Sequence, residues 1–231
     1  MKHVSVIQHT QSEWLGHIED HLEGRGIRFG YFRPFTAGGS LPELATLGDG
    51  LILVGGGPWG TAGPDCLLPT LEREVRLVRA CLMTEKPVLA FGLGSQILSL
   101  AADGGVVARP LRLEAGYANR VKGDALGGRL PERFPNVVYM RDAPAPPDYA
   151  VALARDAGGN PAIFQIGAKA FGFTGHLGIR RAMIEDLVME FEEAPDDVAA
   201  GLEPLGGLAT AIEDALVPIM AGLIEATGWM S

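Results

Sequence analysis

The chain is poor in cysteine, in aromatic residues and in positive charge. Two of its 231 residues are Cys, 7% are aromatic, and 19 Lys and Arg stand against 28 Asp and Glu, for a formal net charge of -9. Two thiols, Cys66 and Cys81, make neither a disulfide framework nor a metal site, so a reduced, cytoplasmic setting is expected. The acidic balance argues against nucleic acid and against an anionic membrane surface as partners, because both demand a basic face. No Gly-Lys-Ser/Thr follows the glycines at 55–57, which excludes a P-loop. The opening Met1-Lys2-His3-Val4-Ser5-Val6-Ile7 has one charge and then a strand-like run, with no signal-peptide apolar region. No apolar run approaches the roughly 20 residues that span a bilayer, and no internal repeat is visible.

What is present supports a sizeable core: 47% of residues are hydrophobic and 20% charged. The 32 Gly and 16 Pro lie between apolar runs and read as turns. Apolar runs at 4–8, 27–32, 51–54 and 87–91 predict short buried strands. Helical spacing predicts a helix over 12–22, capped by Ser12, and another within 67–84. Strands alternating with helices predict βαβ units and a parallel sheet covered on both faces. From 106 to 173 short β-like pieces follow one another, which predicts an antiparallel edge extension. Helical spacing returns at 179–191. An acidic, Pro-bounded linker is expected over 194–204, then an amphipathic helix over 208–229, interrupted or kinked near Pro218. The expected fold is α/β, with a flavodoxin-like, mostly parallel sheet, helices on both faces, an antiparallel edge extension and a C-terminal helical tail. Residues 1–192 would form the domain and 193–231 a helical extension of it.

The most informative stretch is Ala90-Phe91-Gly92-Leu93-Gly94-Ser95-Gln96. Strand, tight glycine-flanked turn and helix are the geometry of a nucleophile elbow, which lifts one side chain above a sheet at a helix N-terminus. The residue at the tip is Gly92, which has no side chain to attack with. Such tips are held at positive φ, a strain of about 1–3 kcal/mol for other residues that glycine escapes, so the elbow should persist as a backbone shape.

Further landmarks accompany it. Gln8-His9 closes the first strand. Gly55-Gly56-Gly57-Pro58 follows the third. Glu114-Ala115-Gly116-Tyr117 follows the elbow helix, and Phe171-Gly172-Phe173-Thr174-Gly175-His176 comes later. Together, over roughly 3–192, they resemble the class I glutamine amidotransferases, in particular stand-alone chains related to the glutaminase domain of GMP synthase. In that family the elbow carries a Cys, G-G-P forms an oxyanion loop, E-x-G-[WY] follows the elbow helix, and G-F-Q-F-H-P-E carries the catalytic His and Glu. The departures are Gly92 at the nucleophile position, Ser95 where His is frequent, Gly178 at the triad Glu position, and Tyr139-Met140-Arg141-Asp142 for W-H-G-D. His176 keeps the catalytic His position.

The resemblance therefore implies a family member without nucleophile or triad carboxylate, and without glutaminase activity. The pocket it implies would hold glutamine, glutamate or another small carboxylate through Gly56, Gly57, Leu93, Gln96 and His176, with Trp59 and His9 beside them. It calls for no metal and no cofactor. Gln96 and Trp59 fit ordinary packing equally well, and His9 taken alone reads as structural. Cys66 is a candidate replacement nucleophile, whereas Ser95 should serve the first helical turn and Cys81 the core. His17 and His21, near Glu19, have metal-ligand spacing on a helix, against the simpler reading of a solvated face. Three functions stay open. One is a binding or regulatory subunit of a synthetase or other biosynthetic enzyme. Another is an enzyme of non-covalent chemistry, with His9, Asp142 or Cys66 converging on His176. The last is an interaction protein with a collapsed site, a homodimer included.

Overall fold

The computed structural model describes residues 1–63 and 66–230. Short apolar strands, His3–Ile7 (β1), Arg28–Phe32 (β2), Gly50–Leu53 (β3) and Val88–Phe91 (β4), alternate with helices His17–Glu23 (α1), Leu71–Met83 (α2) and Leu93–Ala101 (α3). Then come Gly105–Val107 (β5), Arg112–Arg120 (β6), Arg133–Met140 (β7), Ala143–Ala145 (β8), Val151–Arg155 (β9), Pro161–Ile166 (β10) and Ala170–Phe173 (β11), followed by helices Arg181–Glu190 (α4) and Val198–Thr227 (α5).

Nine strands form one sheet in the order β2-β1-β3-β4-β11-β10-β9-β6-β7, with β5 and β8 in a separate ribbon. The first five are mutually parallel and the rest antiparallel. The parallel block has the flavodoxin-like order, with a topological switch point between β1 and β3. Side chains alternate across it. Val4, Val6, Ile52, Val54, Leu89 and Phe91 face a layer made by α1 and the C-terminal half of α5. Ile7, Leu51, Leu53, Val88 and Ala90 face α2 and α3. A third apolar cluster packs α4 and the N-terminal half of α5 over β6 and β7.

Three local expectations change. The first helix starts at His17, with Gly16 as its N-cap at φ 59°, so Ser12 caps nothing. Residues 11–15 are instead each hydrogen-bonded to a group outside the loop. The linker ends at Asp197, whose carboxylate accepts the Ala200 N–H at 3.0 Å and caps α5. Both Pro204 and Pro218 then lie inside α5, which runs unbroken. Burial of Leu216, Ile219, Met220 and Leu223 outweighs the backbone hydrogen bond that Pro218 forfeits. Contrary to the expectation from the sequence, α5 is long and apolar enough to cross a membrane by length and composition. A core helix passes the same test, and α5 packs on β6, β7, α1 and α4. Beyond its end the buried Trp229 donates its indole N–H to the Asp49 carbonyl at 3.2 Å, pinning the tail to the start of β3.

Candidate functional site

The carboxyl ends of β1, β3, β4 and β11 bring together His9, Gly55–Gly57, Gly92 and His176, around the switch point where such sheets receive ligands. At the end of β4 the chain turns through Gly92, at φ 53° and ψ -118°, straight into α3. The Gly92 N–H donates to the Phe173 carbonyl at 2.9 Å, and the Ser95 hydroxyl donates to the Gly92 carbonyl at 2.6 Å. Ser95 thus serves the first turn of α3. Gly94 lets α3 lie close to β3, since a Cβ there would come within 2.7 Å of the Leu53 Cβ.

The loop between β1 and α1 fills this end of the sheet. The Glu13 side chain folds over Gly55, where an added Cβ would lie 1.7 Å from its Oε1, and its Oε2 accepts the Gly57 N–H at 3.2 Å. The same Oε1 lies 3.8 Å from where a Cβ on Gly92 would stand. The next residue, Trp14, offers its carbonyl to His176 Nε2 at 2.6 Å. The next again, Leu15, places its carbonyl 2.6 Å from where a Cβ on Gly178 would lie. Three consecutive residues of one loop therefore stand against Gly92, His176 and Gly178.

Each part of that loop is anchored. The Gln8 amide donates to the Thr10 and Gln11 carbonyls. Glu190, at the end of α4, accepts the Gln11 and Ser12 N–H groups, both at 2.9 Å. The Thr10 hydroxyl accepts the Glu13 N–H, the Tyr31 hydroxyl accepts the Leu15 N–H, and the Gly178 carbonyl accepts the His17 N–H. From the far side Phe191 covers Gly57, where a Cβ would meet the ring at 2.9 Å.

Burial pushes the Glu13 carboxyl up to about 7, against the Gly57 N–H and the charge of His9, with Glu190 adding to the rise. His176 accepts the Gly178 N–H at Nδ1 (3.2 Å) and donates at Nε2, so it is a neutral imidazole with no free nitrogen. Burial lowers its pKa to about 4, despite the Trp14 carbonyl. Its ring stacks on Phe91. His9 is opposite in kind. Nδ1 lies 3.1 and 3.2 Å from the Val54 and Gly55 carbonyls, and Nε2 is 2.8 Å from the Glu74 carboxylate. Burial opposes its charge, but Glu74 and the two carbonyls outweigh it and raise the pKa. Both side chains are fully buried.

No family model matches the chain. A glutamine amidotransferase-like protein of Salmonella typhimurium, YfeJ, is 25% identical over 196 residues, which span 82% of this chain and 81% of that protein. The structure of a glutamine amidotransferase from Methylobacillus flagellatus superposes with a TM-score of 0.82 at 22% identity, covering 98% of this chain and 95% of that one. A Thermoplasma acidophilum chain described as a GMP synthase subunit superposes with a TM-score of 0.57 at 16% identity, over 82% of this chain and 93% of that one. The fold is that of the glutamine amidotransferases.

On this amidotransferase fold the remaining candidates are engaged by the protein itself. Leu93 covers Gly56, where a Cβ would meet its Cδ2 at 2.2 Å. Gln96 is fully buried; it accepts from the Thr61 hydroxyl and donates to the Arg141 carbonyl at 2.7 Å. Trp59 packs against the cluster under α2 and α3 and lines a cavity of about 80 Å³ with His9, Pro34, Phe35, Leu68, Pro69 and Thr70. Neither Asp142 nor Cys66 joins His176. Asp142 accepts the N–H groups of Thr61, Ala62 and Arg109, and the Cys66 thiol lies 3.7 Å from Glu193. Both line a separate open cavity of about 370 Å³. Cys81 is buried in the core, and burial pushes its thiol up to about 11. His17 lies 4.0 Å from Asp20 and 3.7 Å from Glu213, while His21 turns to Arg25. Among the described residues no group of three or more His, Cys, Asp and Glu could hold a metal ion.

Glu13, Trp14 and Glu190 were not among the residues singled out from the sequence. The one signal for them was the spacing Thr10-x-x-Glu13, a side-chain-to-backbone turn pattern, followed by Gly16, which breaks the helical period.

Proposed function

We propose that this chain is a non-catalytic glutamine amidotransferase-like protein that acts as a binding or regulatory subunit of a biosynthetic enzyme, in the reducing cytoplasm. The observation that carries the reading is the placement of Glu13, Trp14 and Leu15 against Gly92, His176 and Gly178. No thiol or hydroxyl stands at the elbow tip, and position 178 has no carboxylate. The His176 ring has neither a free nitrogen nor a raised basicity. Covalent attack on an amide then lacks nucleophile, base and orienting acid together. The likeness to a chain described as a GMP synthase subunit supports this role in an assembly.

Incubation of the purified chain with glutamine should release no ammonia. Release that disappears in His176→Ala would overturn the reading. Purification of the untagged protein from its native host should bring down a near-stoichiometric protein of the synthetase class. A chain that purifies alone would remove the subunit role.

A further inference from the structure

Glu13 is a buried acidic side chain delivered to one spot. The absence of a side chain at Gly55 makes the room it fills, since a Cβ there would lie 1.7 Å from its Oε1, and the same oxygen stands in ordinary contact distance, 3.8 Å, of where a Cβ on Gly92 would be. The backbone N–H of Gly57 points at its Oε2. The loop carrying it is held at Gln11, Ser12, Glu13, Trp14, Leu15 and His17 by groups from other parts of the chain. A carboxyl pre-positioned in this way has the relation to its surroundings that a bound small acid would have, without the entropy cost of association.

We propose that Glu13 is a built-in ligand of this site. Its carboxyl occupies the place over the Gly55–Gly57 loop and beside Gly92, and so closes that place to carboxylates and amides from outside. The emptied site would accept a short monocarboxylic acid. The inference deepens the proposed non-catalytic reading by naming what keeps the site shut. The fragment that Glu13→Ala removes, CγH₂–COOH, corresponds to acetic acid. The uncharged acid is favoured there, because burial outweighs the Gly57 N–H and the charge of His9 from the end of β1, and the other ionisable groups around the site are Glu190 from α4, which adds to the rise, and Tyr139 from β7.

The test is a titration of the full-length chain with ¹³C-acetate, followed by NMR and by thermal melting. Acetate should bind Glu13→Ala about tenfold or more tightly than wild type and raise its melting temperature accordingly. The effect should be larger near about pH 5 than near about pH 8. Wild type and Glu13→Gln, in which the site stays filled, should not respond. A folded Glu13→Ala that ignores acetate, or a wild type that responds equally, overturns the proposal. If Glu13→Ala does not fold, the ¹³C-labelled carboxyl of Glu13 in the wild-type chain decides: its resonance should not move when glutamine is added, and movement overturns the proposal. Ammonia release or the absence of a partner would sink the proposed function while leaving these binding results readable.

Discussion

The imidazole of His176 is locked to Trp14, giving its Nε2 proton to that residue's carbonyl oxygen at 2.6 Å while Nδ1 accepts the Gly178 N–H. The pair fixes a neutral tautomer in a fully buried position. Because the folded pKa is depressed to about 4, the unfolded chain binds the extra proton first as pH falls. The associated stability is present above the unfolded value of about 6.5 and is lost as pH drops toward 4. We expect an acid limb worth roughly 3 kcal/mol in denaturant titrations, which His176→Gln should flatten. A limb that survives the substitution would show that another group causes it.

Glu13 titrates with the opposite sign. Its folded pKa, about 7, is raised above the usual carboxyl value. The stability it contributes is therefore present below the unfolded value and lost as pH rises through 7. Glu13→Gln keeps an acceptor for the Gly57 N–H and removes the titration. It should be more stable than wild type by about 1–3 kcal/mol at pH 8 and show no gain near pH 4. Equal stability at both pH values would mean that Glu13 is not buried as described.

Restoring a family-like triad by substitution should fail on steric grounds. A Cβ at Gly178 would lie 2.6 Å from the Leu15 carbonyl oxygen, 2.8 Å from Ile18 Cγ1 and 2.9 Å from the Ile18 nitrogen. Gly178→Ala should therefore cost about 2–4 kcal/mol by denaturant midpoint, and Gly178→Glu should not fold. Gly92→Cys meets a positive φ and the Gly55 Cα at 3.2 Å, for a cost of about 1–3 kcal/mol. A freely tolerated Gly178→Ala would mean that the β1–α1 loop lies elsewhere in solution.

His9 and Glu74 form a buried, fully shielded pair that joins the end of β1 to α2. Removing one partner leaves the other charge without compensation. Glu74→Ala should lower stability by about 3–5 kcal/mol, whereas the double substitution His9→Leu with Glu74→Leu should cost much less than the two single changes summed. Additive costs would show that the pair is not coupled.

The sequence by itself determined most of the strands and helices, though not the short β8. Buried parallel strands read as short apolar runs between Gly and Pro, and amphipathic helices repeat near every third or fourth residue. The run from Val88 into Gly92-Leu93-Gly94 announced the elbow because only glycine takes that backbone freely. What Glu13 does could not be read the same way. A glutamate three residues after a threonine and in the first turn of the helix expected over 12–22 looks like a solvated N-terminal turn. Its inward direction comes from Glu190, Tyr31 and His176, which are separated from its loop by up to about 180 residues of chain and meet it only after the sheet has formed. The same holds for α5, where two prolines suggested a break and long-range burial against β6 and β7 kept the helix whole. Local pattern is set by neighbours in sequence. Occupancy of a site is set by which distant groups the fold brings together, and that was decided only in three dimensions.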